Sequence, residues 1–120
     1  MIELMLPLVV TEACGKRCFA LEDLVRIMCE NPARIFGLFP RKGGIRLGAD
    51  ADIVVLNPEA DGRVRPEDLS MVVPSYSPFE GWPLSICPEV VVIGGRLVVS
   101  EGRIVSDRPG GRFVSSGGSS

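Results

Sequence analysis

Four cysteines and one pair of aspartates are the residues of this sequence whose chemistry reaches beyond packing. Cys14-Gly15-Lys16-Arg17-Cys18 sets two thiols beside two cations, and together with Cys29 and Cys87 they offer four sulfurs for a zinc site or for acidified, reactive thiolates. The spacing is wider than the paired two-residue gap of zinc ribbons, and no histidine occurs anywhere in the 120 residues to complete a set. Ordinary reduced cysteines of a loop and a helix are the preferred reading, because so few cysteines without a repeated pair do not make a disulfide scaffold. Asp50-Ala51-Asp52 also divides two ways. Paired carboxylates would suit acid/base work or a hard cation. Just before an apolar strand, however, Asp more commonly accepts backbone N–H groups in a turn, and that structural role is preferred.

Other local patterns carry less chemistry. Ser75, Ser77 and Ser100 have no histidine that would serve as a base, which removes serine-hydrolase logic. Gly43-Gly44, Gly94-Gly95 and Gly110-Gly111 lack the strand-to-helix setting of a phosphate loop and read as turns. The run Ser77-Pro78-Phe79-Glu80-Gly81-Trp82-Pro83 is either a ligand clamp or an aromatic loop packed over a sheet edge, the latter preferred. No residue is therefore assigned a catalytic, cofactor-binding or metal-ligating role.

The elements that must position these residues are of two kinds. Residues 2–12 are mostly apolar with Pro7 inside, which predicts a helix that begins near Pro7 or is kinked there, followed by a loop over Ala13 to Arg17. Leu21, Leu24, Val25 and Met28 repeat at i, i+3, i+4, i+7 opposite Glu22, Asp23, Arg26 and Glu30, the pattern of an amphipathic helix. Asn31-Pro32 is expected to end it and to cap a short helix from Pro32 to Phe36 that Gly37 stops. Beyond Phe39-Pro40 helical spacing gives way to short β-branched runs. Ile45 to Leu47 predicts a short strand, and Asp52 to Leu56, apolar on both faces, predicts a central one. Residues 59–70 read as a polar surface loop or short irregular strand. Val90 to Ile93, Arg96 to Val99 and Arg103 to Val105 are separated by Gly94-Gly95 and Glu101-Gly102, which predicts an antiparallel meander with two tight turns. The tail from Asp107 ends in Gly and Ser, and flexibility is expected there.

The fold class read from this order is α+β, helices first and a mostly antiparallel sheet after. Three segments follow: 1–39, 40–106 and a tail over 107–120. The bulk numbers agree with a small globular unit: 46% of residues are hydrophobic, 23% are charged, and the formal net charge is −2. A chain of this size buries roughly two-thirds of its unfolded surface when it folds alone, so a large apolar face left over would need a partner. One Trp, one Tyr and scattered cations offer neither the basic stripe nor the stacking platforms of a nucleic-acid binder. No apolar run reaches the roughly 20 residues of a membrane span, and the start lacks a basic leader, so a cytoplasmic chain is expected.

Taken in order, several short motifs resemble one family. They are Ile2-Glu3 with Leu6-Pro7-Leu8, Leu21-Glu22-Asp23-Leu24-Val25, Glu30-Asn31-Pro32-Ala33-Arg34-Ile35-Phe36-Gly37-Leu38, Lys42-Gly43 with Ile45, Gly48-Ala49-Asp50-Ala51-Asp52, Tyr76-Ser77-Pro78-Phe79-Glu80-Gly81, Gly95-Arg96 and Gly111-Arg112-Phe113-Val114. This ordered set resembles the cyclic amidohydrolases, which include dihydropyrimidinase or hydantoinase, allantoinase and dihydroorotase, and the Ser-Pro-Phe-Glu-Gly-Trp loop leans toward hydantoinase. The resemblance implies a (β/α)₈ barrel with one or two divalent metals and a β-sandwich built from both chain termini. It covers only the final quarter of such an enzyme, the closing barrel helices and the C-terminal share of the sandwich. The family's metal ligands are an early His-x-His, a lysine often carboxylated, two later histidines and an Asp ending the last barrel strand. None of these maps onto a residue of this chain.

Three functional expectations follow from the resemblance and the residues. The first is a structural C-terminal portion of a metal-dependent cyclic amidohydrolase, inactive alone, with zinc-like metal only in the complete enzyme and with self-association through uncovered faces such as those of Leu4, Leu8, Leu24 and Met28. The second is a subunit that completes a barrel-supplying chain in trans. The third is an independent scaffold or zinc-binding module using Cys14, Cys18, Cys29 and Cys87.

Overall fold

Leu4 and Leu8 stand one helical turn apart, and that spacing builds the first packed face of the chain. The computed structural model describes residues 2–69, 76–108 and 110–116. Ser75 lies outside the described residues, as do residues 117–120 of the Gly- and Ser-rich tail. Among the described residues the element order is α+β, as the sequence predicts: the α-helices α1 (Ile2–Val10), α2 (Leu21–Val25) and α3 (Asn31–Ile35) come first and the strands follow, with a 3-10 turn at Pro66–Asp68 among the strands. The strands are β1 (Ile53–Asn57), β2 (Gly62–Arg63), β3 (Pro83–Leu84), β4 (Cys87–Ile93), β5 (Arg96–Ser100) and β6 (Arg103–Ile104). Two compact units divide them, Met1–Phe19 with Leu56–Pro88, and Ala20–Val55 with Glu89–Ser120.

In the first unit α1 begins at Ile2, upstream of Pro7, and runs through it. Proline there removes one intrahelical donor, and its buried ring joins the apolar face of Leu4, Leu8 and Val10. The loop expected after residue 12 is instead a wider, π-type turn over Thr11–Lys16, closed by an i,i+4 ion pair between Lys16 and Glu12 at 2.5 Å. Leu4, Leu8 and Val64 form a buried cluster, with Leu69, Phe79 and Leu84 packed against it. Strands β2 and β3 pair antiparallel, Gly62 opposite Leu84 and Arg63 opposite Pro83. Buried Thr11 accepts the Ile86 N–H at 3.3 Å through its hydroxyl, which ties the segment after β3 to the end of α1.

In the second unit α2 and α3 are joined by another wide turn, Arg26–Glu30, rather than separated at Asn31-Pro32. Glu30 and Asn31 both hold helical dihedrals, and no side chain caps α3, so the expected Asn31 cap is replaced by continuous helix. The reason is local: the Pro32 ring would collide with the Met28 carbonyl of a regular helix, and Met28 sits in the widened turn. Gly37 does stop the helix. With φ at +67 it lets Leu38 N–H reach Ala33 O at 2.7 Å while its own N–H reaches Arg34 O at 3.2 Å, the paired bonds of a Schellman ending.

The strand expected over Ile45 to Leu47 does not form, and both side chains are almost fully exposed. Three residues between turns at Gly43 and Gly48, both at positive φ, are too few to hold a ladder. Side chains pin this loop instead. Two guanidiniums stack on the Phe39 ring, Arg34 at 3.6 Å and Arg46 at 4.2 Å from its centroid.

The larger sheet runs β1-β4-β5-β6, and β5 pairs antiparallel with both β4 and β6. Its two turns match the sequence reading, with Gly94 and Gly95 at φ +56 and +78 and Glu101 and Gly102 at +50 and +70, the double positive φ of a tight hairpin. A register irregularity falls between Val91 and Val92. Strand β1 stands at the sheet edge rather than its centre, leaving Val54 and Val55 43% and 47% exposed. A strand apolar on both faces needs cover on both, and among the described residues its one sheet neighbour is β4.

Candidate functional site

Asp52 lies just ahead of β1, where the chain leaves the Gly48-Ala49-Asp50 turn, and its carboxylate faces the tip of the β4–β5 hairpin. Its Oδ1 accepts the Gly94 N–H at 2.8 Å, and the neighbouring Ala51 carbonyl accepts the Gly95 N–H at 3.0 Å. A two-residue turn leaves its N–H groups pointing outward, and here a second loop satisfies them. The other Asp52 oxygen pairs with Lys42 Nζ, which also lies 2.9 Å from Asp50 Oδ2. Arg41 Nε donates to that same Asp50 oxygen at 2.9 Å. The backbone closes the ring, since the Asp50 N–H donates to Arg41 O at 3.0 Å.

The electrostatic consequence follows from these bonds. Hydrogen bonding to Asp52, then to Asp50, holds the Lys42 ammonium above its ordinary range. The same contacts, Lys42 first in each case, hold both carboxyls below the usual carboxylate value, with Gly94 N–H adding to the effect at Asp52. All three groups are therefore charged near neutrality, and neither aspartate is poised to exchange a proton there. Asp52 accepts a backbone N–H as the structural reading expects, although that N–H belongs to a hairpin more than forty residues away rather than to its own turn, whereas the Asp50 carboxylate pairs with Arg41 and Lys42.

Around this cluster the second unit forms a cleft of about 540 Å³ lined by the 41–52 loop, the hairpin tip and residues 110–114. Sequence reasoning singled out Asp50 and Asp52 but not Lys42, which answers them both. Its available signal was charge, a lysine on the one loop that carries two aspartates. A metal does not fit here, because an ammonium already occupies the space between the two carboxylates and Arg41 holds Asp50 from another side.

All four cysteines are free thiols; Cys14, Cys18 and Cys87 fall in the first unit and Cys29 in the second, with Cys18 and Cys29 exposed. Burial raises the Cys87 thiol above its usual range, the opposite of activation. Among the described residues no group of three His, Cys, Asp or Glu side chains is placed to hold a metal ion. Buried Ser77 accepts the Phe79 N–H at 3.2 Å, a side-chain turn that sets the aromatic loop.

That loop serves packing. Phe79 and Trp82 meet edge to face at 5.2 Å and 80°, Phe79 rests on the buried Leu4, Leu8 and Val64 cluster, and the Trp82 carbonyl accepts the Val64 N–H at 2.9 Å. Beside it an apolar groove of about 530 Å³ is lined by Met5, Leu8, Val9, Phe79 and Trp82, with Glu12, Ala13 and Arg17.

Comparison with known proteins adds the wider frame. Residues 1–98 match the model of the amidohydrolase family. The L-hydantoinase of Paenarthrobacter aurescens is 34% identical over 114 residues, which are 95% of this chain and 25% of that protein. A dihydroorotase of Methanothermobacter thermautotrophicus is 34% identical over 113 residues, 94% of this chain and 25% of its own. The solved D-hydantoinase (dihydropyrimidinase) from Thermus sp. superposes with a TM-score of 0.83 at 33% identity, covering 88% of this chain and 23% of that one. The chain thus spans about a quarter of the length of the curated relatives it matches.

Proposed function

The chain belongs to the amidohydrolase family, and on that premise we propose that it is the C-terminal portion of a hydantoinase- or dihydroorotase-like cyclic amidohydrolase, structural and inactive alone. One observation carries this reading: nearly the whole chain matches, in sequence and in fold, about a quarter of each relative. In the complete enzyme the reaction would be hydrolysis of a cyclic amide C–N bond with a divalent, zinc-like metal. The residues here do not fit that metal, since Asp50 and Asp52 are committed to Lys42, Arg41 and the hairpin amide.

Within the proposal, residues 1–39 are terminal barrel helices, residues 40–106 the C-terminal share of a composite β-sandwich, and residues 107–120 a flexible tail. Strand β1 supports it. Its exposed Val54 and Val55 at the sheet edge have the pattern of a strand covered by further structure. Leu4, Leu8 and Leu24, expected on uncovered faces, are buried within the chain, so it is the exposed Val54 and Val55 edge that supports self-association of the isolated chain, in a cytoplasmic setting. Among the described residues no helix is long and apolar enough to cross a membrane.

A second reading is a subunit completing a barrel chain in trans, favoured by the apolar groove along α1 with Met5 and Trp82 open to solvent. Hydantoin and dihydroorotate hydrolysis, assayed with added zinc or manganese beside a chelated control and with light-scattering mass, tests both. The proposal expects no turnover from the chain alone and a mass above that of one chain. Turnover by the chain alone would overturn it, while metal-dependent turnover only after co-expression with a barrel fragment would establish the second reading.

A further inference from the structure

The cleft beside Asp50 and Asp52 carries more positive charge than its own carboxylates answer. Arg41, Lys42, Arg96 and Arg112 line it, against Asp50 and Asp52 alone. Lys42 and Arg41 consume those two carboxylates. Arg96 and Arg112 are left, and among the described residues neither makes an ion pair or a hydrogen bond. Two unanswered guanidiniums in one concave site attract an anion, and the planar fork of each matches two oxygens of a carboxylate or phosphoryl group.

The backbone at this place is shaped for the arrangement. A Cβ at Gly110 would stand 2.2 Å from the Arg96 terminal nitrogen and 3.1 Å from its guanidinium carbon. The Arg96 side chain thus lies across the segment that carries Arg112 two residues later. The hairpin turn is short of free donors, because Asp52 and Ala51 already take the Gly94 and Gly95 N–H groups. Recognition therefore falls to the two arginines rather than to a nest of amides. A volume of about 540 Å³ is within the usual range for a small-molecule site.

We propose that this cleft binds a small oxyanion, a phosphoryl- or carboxylate-bearing molecule, through the guanidiniums of Arg96 and Arg112. Binding here is separate from amide hydrolysis and does not depend on which cyclic amide a complete enzyme would take.

The test is a titration of the full chain at constant ionic strength with inorganic phosphate, glycerol phosphate and acetate in separate arms, read by thermal shift and by amide chemical shifts around Gly94 and Gly111. The expected result is saturable binding in at least one arm, weakened about tenfold or more by Arg112→Gln and by Arg96→Gln. Arg103→Gln, on β6 and outside the cleft, should bind as the unaltered chain does. Phosphate arms alone identify a phosphoryl ligand, acetate alone a carboxylate ligand, and all arms alike a general oxyanion site. Arg96 lies against Gly110, so Arg112→Gln, which leaves that contact in place and is confirmed folded by circular dichroism, decides the matter. No saturation in any arm, or binding unchanged in Arg112→Gln, overturns the proposal.

Discussion

Asp52 Oδ1 accepts the Gly94 N–H at 2.8 Å, and with the neighbouring Gly95 N–H to Ala51 O bond it joins the loop before β1 to the turn between β4 and β5. Because the same carboxylate also pairs with Lys42, a change at residue 52 acts on two elements at once.

Asp52→Ala removes both contacts, whereas Asp52→Asn keeps an oxygen for Gly94 and loses only the charge. The alanine variant should lose about 1 kcal/mol, a figure discounted for the partial exposure of the pair, and the asparagine variant less. Urea unfolding orders the three proteins, and hydrogen exchange at Gly94 separates the two effects. It should accelerate in Asp52→Ala and stay close to the original in Asp52→Asn. Equal acceleration in both would show that charge, not the acceptor oxygen, holds the turn.

The Lys42 cluster gives stability a pH profile at both extremes. Asp50 and Asp52 have folded values below 3.8, so their contribution is present above that pH and fades as acid carries the solution through the lower folded values. Lys42 has a folded value above 10.5, so its share is complete below that pH and is lost as alkali rises past it. Thermal melts should therefore be flat across neutrality with respect to this cluster and fall at each end. Replacing Lys42 with Met should flatten both flanks, and an unchanged acid flank in that variant would refute the assignment.

Gly43 and Gly48 sit in the same loop with similar dihedrals, φ +93 and +86, but in different surroundings. A Cβ at Gly43 would come within 2.6 Å of the Ala33 side chain, while one at Gly48 would meet nothing within 4 Å. Both alanine variants bear backbone strain, of order 1 kcal/mol. Gly43→Ala should cost about 1–3 kcal/mol more, because α3 must move to admit it. Chemical denaturation of the two variants measures the difference, and equal losses would show that α3 yields freely.

Leu8→Ala should be among the most damaging single changes in the first unit, since Leu8 is 8% exposed and belongs to the cluster with Leu4 and Val64. A loss of about 2–5 kcal/mol is expected, enough to unfold much of a small chain. Met5→Ala, on the same helix but 57% exposed, should change little. Near-ultraviolet circular dichroism reports the outcome through Trp82, whose ring contacts Phe79 beside this cluster.

Much of this protein was determined along the sequence itself. Paired glycines or Glu-Gly at two-residue spacing between β-branched runs can only close tight turns, so the β4–β5–β6 meander was legible from Gly94-Gly95 and Glu101-Gly102. The i, i+3, i+4 spacing of Leu21, Leu24 and Val25 marked a helix, Gly37 its end, and the ordered motifs marked the family. These features are local, set by backbone sterics and by periodicity within a few residues. The tertiary structure alone decided the rest. Whether Ile45 to Leu47 found a strand partner, whether β1 stood inside or at the edge of its sheet, and which donors Asp52 would hold all depended on elements far away in the chain. The meeting of Arg96 with Gly110, in a cleft shared with Lys42 and Asp50, is likewise a matter of three distant segments arriving together, and no spacing in the sequence records it.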